Sequence, residues 1–190
     1  MLSVLGRTNG DPSVGCGLTE AGRAQAQHLG RELAAERIDL CVTSEFERAR
    51  ETADIALQGR DAPRLVLPDL NDIRFGEFEG RALTDYRAWA HSHSPTYPAP
   101  GGGDSRVETV ARYVRAYRAI LARPEETILV VAHGLPVRYV LEALEGRTPA
   151  AVVAQVPYAQ AFRIDAAALG DAVELLAQWA AAPAWSNCAG

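Results

Sequence analysis

Apolar runs alternate with amphipathic stretches along this chain, and the densest run is Ile128-Leu129-Val130-Val131. Uninterrupted and mostly β-branched, it suits a strand covered on both faces, the environment of a parallel sheet. Shorter strand candidates are 39–43, ending at Ser44, then Leu65-Val66-Leu67, stopped by Pro68, and a last one over Ala161-Phe162-Arg163-Ile164. Between them the period changes to that of a helix. Thr19 is a suitable N-cap for a helix over about 19–36, with Ala26, Leu29 and Leu33 at helical spacing. Further helices are expected over 45–58, around 83–90, and from Arg106 to about 121. In that last stretch Val107, Val110, Val114, Tyr117 and Leu121 form one apolar stripe. Another is expected over 137–144, and a closing one carries Leu169, Val173, Leu176 and Trp179.

Strand, polar turn and helix in repetition predict an α/β protein with a mostly parallel central sheet between two helical layers. With 190 residues, one domain over 1–190 is expected, with a frayed tail over 183–190. Proline and glycine break the pattern over 6–17 and 92–103, and the second of these loops could border a pocket.

Charge narrows the function classes. The net charge is −5 and the nineteen basic residues, all arginine, are scattered, so nucleic acid is not an expected partner. Three cysteines, Cys16, Cys41 and Cys188, show neither a disulfide framework nor zinc spacing. No run is long enough to span a bilayer and no secretory signal is evident, so no membrane association and a cytoplasmic location are expected.

Candidate chemistry lies at the strand ends. His133-Gly134 follows the central run just before a helix, where free backbone N–H groups favour an anion. Arg48 sits at the opening of the second helix; its planar guanidinium could hold two phosphoryl oxygens, or simply pair with Glu45 or Glu51. Asp72, in DLNDIRFGEFEG, could deliver a proton to a leaving oxygen if its pKa is raised. His28, His91 and His93 lack a comparable setting, and companion ligands for a His91/His93 metal pair are not evident.

Taken together, S-x-F-x-R-A-R-E-T-A, L-N-D-I-x-F-G-E-F-E-G, P-G-G-G-D-S and V-V-A-H-G, in that order, resemble the motifs of the histidine phosphatase superfamily, also called phosphoglycerate mutase-like. The resemblance runs from about Leu2 to Ile164. It implies a three-layer fold and phosphoryl transfer through a phosphohistidine, acting on a small phosphorylated substrate without metal or cofactor. It assigns Arg48 as oxygen clamp, His133 as second histidine and Asp72, in place of a more usual Glu, as proton donor. Ser3, Asn9, Gly10 and Gly134 fall at phosphate-binding or pocket-border positions.

The family's nucleophile lies in an R-H-G motif at the end of the first strand, and no R-H-G occurs in these 190 residues. By this alignment the first strand is missing and the nucleophilic histidine is expected upstream of Met1, leaving the chain as written weak or inactive. Losing a central strand would expose unmet backbone groups costing about 1–3 kcal/mol each, which favours a truncated record over a non-catalytic phosphate-binding or regulatory pseudoenzyme. A phosphoglycerate mutase is the third alternative. A homodimer is compatible with the sequence.

Overall fold

The computed structural model describes residues 6–15 and 17–185. Ser3, Cys16, Cys188 and most of the 183–190 tail therefore lie outside the described residues. In chain order the elements are α1 (Glu20–Glu32), β1 (Leu40–Thr43), α2 (Glu47–Ala56), β2 (Arg64–Val66), α3 (Leu83–Ser92), α4 (Arg106–Leu121), β3 (Ile128–Val131), α5 (Gly134–Leu144) and α6 (Ala166–Ala181), with short 3-10 turns at Pro68–Leu70 and Gly76–Phe78.

The three strands form a parallel sheet in the order β2-β1-β3. Alternate side chains leave β1 on opposite faces, so each face gathers its own helices. Leu40 and Val42 join Val110, Tyr113, Tyr117, Tyr139, Val173 and Leu176 of α4, α5 and α6. Cys41 packs on the other side with Ala53 and Leu57, from α2 and its end. The outcome is the expected three-layer α/β arrangement, and among the described residues no helix is long and apolar enough to cross a membrane.

Local signals explain the helix starts. Thr19 Oγ1 accepts from the Gly22 amide at 3.1 Å, and Asp165 caps α6 in the same way. Ser105 and Glu108 form a reciprocal capping box at the start of α4. The first helix stops at Glu32, short of the expected 36, because Leu33 already has non-helical backbone angles.

One expectation fails and another holds only in part. No strand forms over 161–164, where the chain has no regular structure and Phe162 is 38% exposed. Ile128–Val131 packs on both faces, Ile128 and Val130 against one cluster and Leu129 and Val131 against the other, yet all four residues are only half-buried. One physical cause serves both. One edge of β3 pairs with β1, while along the other, among the described residues, no strand runs. Segment 161–164 lines the same groove and has no ladder to join. This groove, of about 1080 Å³, runs along β3 to its carboxyl end.

Candidate active site

β1 and β3 point their carboxyl ends at one place, and the residues that follow converge there. Ser44 follows β1 and is fully buried. Its Oγ lies 2.8 Å from Nε2 of His133, the N-cap of α5. A Nη2 nitrogen of Arg48, from the first turn of α2, lies 3.1 Å from Nδ1 of the same ring. Arginine can only donate, so Nδ1 accepts and Nε2–H donates to Ser44: the geometry assigns a neutral imidazole. Burial pushes the His133 pKa well below its ordinary value, and Arg48 and Arg112 push it the same way.

Phe46 sets both groups. Its ring meets His133 edge to face at 4.6 Å, and the Arg48 guanidinium lies 4.0 Å over its centroid. These contacts hold the cation and the imidazole side by side with little rotamer freedom. Arg48 also donates to the Asn9 carbonyl at 3.2 Å, which ties the first loop to the site.

Asp72 completes the group. Its Oδ2 is 3.7 Å from Arg48 Nη2 and 4.0 Å from His133 Nδ1, and its Oδ1 accepts from the Ile73 amide at 3.1 Å. Burial raises its pKa; the Arg48 charge, the Ile73 amide, Arg112 and Arg106 act in the opposite direction. A carboxyl in such surroundings can hold a proton that an exposed aspartic acid would lose. Arg112 fixes the segment from behind, donating to the backbone carbonyls of Asp69, Asn71 and Asp72.

Gly10 lies against this segment: a Cβ there would stand 1.9 Å from the Ile73 carbonyl oxygen, so only glycine fits without moving the backbone. The Gly10 amide donates to the Glu79 carboxylate, which also accepts from Phe75, so Glu79 of the E-F-E-G motif is a clip between two loops. Gly134 opens α5, is exposed and lines the groove; the first amides of a helix have no intrahelical partner. Asn9 is buried, and its Oδ1 is left without a hydrogen-bond partner.

Arg48, Asp72 and His133 thus come from three separate segments into one groove. Residues 5–176 match the histidine phosphatase superfamily (branch 1). The chain belongs to this superfamily. It is 34% identical over 125 residues to the adenosylcobalamin/alpha-ribazole phosphatase of Salmonella typhimurium, a match that spans 61% of each chain. It is 38% identical over 145 residues to a 2,3-bisphosphoglycerate-dependent phosphoglycerate mutase of a Methylobacterium species, covering 69% of this chain and 70% of that one. Among solved structures, the alpha-ribazole phosphatase from Shigella flexneri superposes with a TM-score of 0.65 at 30% identity, over 78% of this chain and 75% of that one.

Within this histidine phosphatase family member the other histidines stand apart from the site. His28 is exposed beside Glu32 on α1, and His93 stacks on Trp89 at 4.8 Å. Among the described residues no group of histidine, cysteine or carboxylate side chains is placed to hold a metal ion. Sequence reasoning missed Ser44, although it begins the S-x-F-x-R motif. The clue available was its position at the end of the strand neighbouring the one that carries His133. It also missed the roles of Phe46 and Arg112, which only proximity discloses.

Proposed function

We propose that this site hydrolyses small phosphomonoesters through a phosphohistidine. Arg48 and the neighbouring α5 amides hold the phosphoryl oxygens, with His133 as a further donor once the phosphate dianion offsets the Arg48 charge. Asn9 and Gly10 shape the loop beside the phosphate; Ser3 is proposed to contribute from the same segment. The single observation that carries the reading is the meeting of a fixed arginine, a buried histidine and a carboxyl of raised pKa in one groove.

Two balanced steps follow. A nucleophilic histidine nitrogen attacks phosphorus as the ester P–O bond breaks, and protonated Asp72 gives its proton to the leaving alcohol. Water then attacks the phosphohistidine, the Asp72 carboxylate takes a proton from it, and the P–N bond breaks to release phosphate. Most of the acceleration comes from charge neutralisation and in-line placement.

The nucleophile in this proposal is not one of the histidines described above. It belongs to a strand carrying Arg-His-Gly that pairs with the open edge of β3 and ends beside His133. Half-burial of Ile128–Val131, the unpaired segment 161–164 and the groove between them support this placement. The 190 residues alone are then expected to bind phosphate while turning over an aryl phosphate very slowly or not at all. Supplying the strand, by fusion before Met1 or as a peptide, should raise turnover by about 100-fold or more, and His133→Ala should remove the gain. Turnover without the strand that matches an intact relative, or a fused strand that leaves the chain inert, would overturn the reading. Similarity to the mutases favours a second reading, return of the phosphoryl group to a phosphoglycerate; transfer to an added acceptor in preference to water would distinguish it.

A further inference from the structure

The P-G-G-G-D-S stretch is the one motif that the proposed function leaves without a role. Its Asp104 stands just before Ser105, the N-cap of α4, and is only 9% exposed. The Asp104 amide donates to the Arg74 carbonyl at 2.9 Å, and its Oδ2 accepts from the Arg74 amide at 3.1 Å. Oδ1 accepts from Nε of Arg74 at 2.8 Å, and Oδ2 also lies 3.5 Å from Nη2 of Arg112. Arg112 in turn holds the carbonyls of Asp69, Asn71 and Asp72. Asp104 therefore grips the segment that carries Asp72 at two points, directly at Arg74 and through Arg112 at Asp72 itself.

Arg112 has two opposed effects on Asp72. Its hydrogen bonds fix the backbone from which Asp72 projects, yet its charge favours the carboxylate and so works against a proton donor. The charged and titratable groups around Asp72 are Arg48 from α2, His133 before α5, and Arg106, Arg112 and Tyr113 from α4. Among the three cations, Arg48 pairs with Asp72 itself, and Arg106 donates to the neutral oxygens of Tyr86, Tyr139 and Ala151. Arg112 has a carboxylate of its own in Asp104. Both side chains are largely withdrawn from solvent, so water and salt screen the pair weakly.

We propose that Asp104 is a positioning residue for Asp72, acting through Arg112. It lets Arg112 keep its grip on the backbone while offsetting the charge that would otherwise draw the proton off Asp72. The inference rests on the proposed function, since it takes Asp72 as the proton donor to the leaving alcohol. It gives the motif a task at the site although Asp104 touches neither the phosphoryl group nor the alcohol.

NMR titration of the Asp72 carboxyl carbon in the 190-residue chain tests this without any turnover. Asp104→Asn keeps an oxygen for the Arg74 amide and removes the charge, and it is expected to lower the proton affinity of Asp72 by about three- to tenfold. Asp104→Glu should restore part of the loss. In an Arg112→Gln background, which keeps N–H donors but no cation, adding Asp104→Asn should change the affinity by less than about twofold. A merely structural role would loosen the whole site, whereas inorganic phosphate binding to Asp104→Asn, read by calorimetry, is expected to stay within about twofold of wild type. If circular dichroism shows Asp104→Asn unfolded, Arg112→Gln alone decides: the proton affinity of Asp72 should rise by about threefold or more. No rise there, no fall in a folded Asp104→Asn, a fall of the same size without Arg112, or a parallel loss of phosphate binding overturns the role of Asp104 alone. A wild-type Asp72 that titrates in the ordinary carboxylate range, or a wild-type chain that does not bind inorganic phosphate, overturns the proposed function with it.

Discussion

β1 and β3 are neighbours of similar composition, and each delivers part of the candidate site, yet they live in different surroundings. Every residue of β1 is buried, since β2 and β3 pair along its edges and helices cover both faces. Every residue of β3 is half-buried, since among the described residues only β1 pairs with it. Four apolar side chains in a row were read as a buried strand covered on both faces. The contrast teaches that such a run reports the environment the strand is suited to, while actual enclosure depends on which other segments are present.

The contrast has a sharp stability test. Leu40→Ala on β1 is expected to cost about 2–5 kcal/mol in urea unfolding, the range for a cavity among well-packed neighbours. Leu129→Ala on β3 should cost less than half as much, because its side chain already borders the groove. Equal losses at the two positions would show that the open edge has no energetic meaning.

The two strand ends should also differ in what they do to phosphate. Arg48→Met is expected to weaken inorganic phosphate binding by about 30- to 100-fold, as a charge-assisted contact and a fixed cation disappear together. Ser44→Ala, which removes only the Nε2 partner of His133, should weaken it by less than about 10-fold while costing about 1–2 kcal/mol of stability. A larger binding effect from Ser44 than from Arg48 would reverse the proposed division of roles.

A smaller effect separates His133 from Asp72 through pH. His133 has a depressed folded-state pKa, so the stability it contributes is present above the ordinary histidine value of 6.5 and is lost as pH falls through the folded value. Asp72 has a raised one, so its contribution is present below the ordinary 3.8 and is lost as pH rises through the folded value. The His133 contribution should therefore lower the melting temperature on acidification from neutral pH, most plainly in an Asp72→Asn background, and adding His133→Gln should flatten that fall. Asp72→Asn should instead remove a decline that sets in as pH rises above about 4. A melting temperature of Asp72→Asn insensitive to acidification below neutral pH would contradict the buried neutral imidazole, since the opposing Asp72 contribution is absent there.

Local chemistry made much of the architecture legible. Period-2 and period-3.6 patterns are written into neighbouring residues, so the strand over 128–131, the helices at α1, α2 and α4, and the Thr19 cap needed no tertiary information. The motifs likewise marked Arg48, Asp72 and His133, because residue type at a strand end is a local property. Segment 161–164 was misread for the opposite reason: it has strand propensity, but a strand exists only through its partner.

What the sequence by itself determined was the order of elements, their amphipathic faces and the short list of chemically able residues. Tertiary structure alone decided that Phe46 braces both His133 and Arg48, that Arg112 holds the backbone around Asp72, and that Arg106 is buried among tyrosine hydroxyls in the same groove. These contacts join residues distant in the chain, and their strength comes from burial and from distances of a few ångströms. Neither quantity is a property of any one stretch of sequence; both arise when the layers close around the sheet.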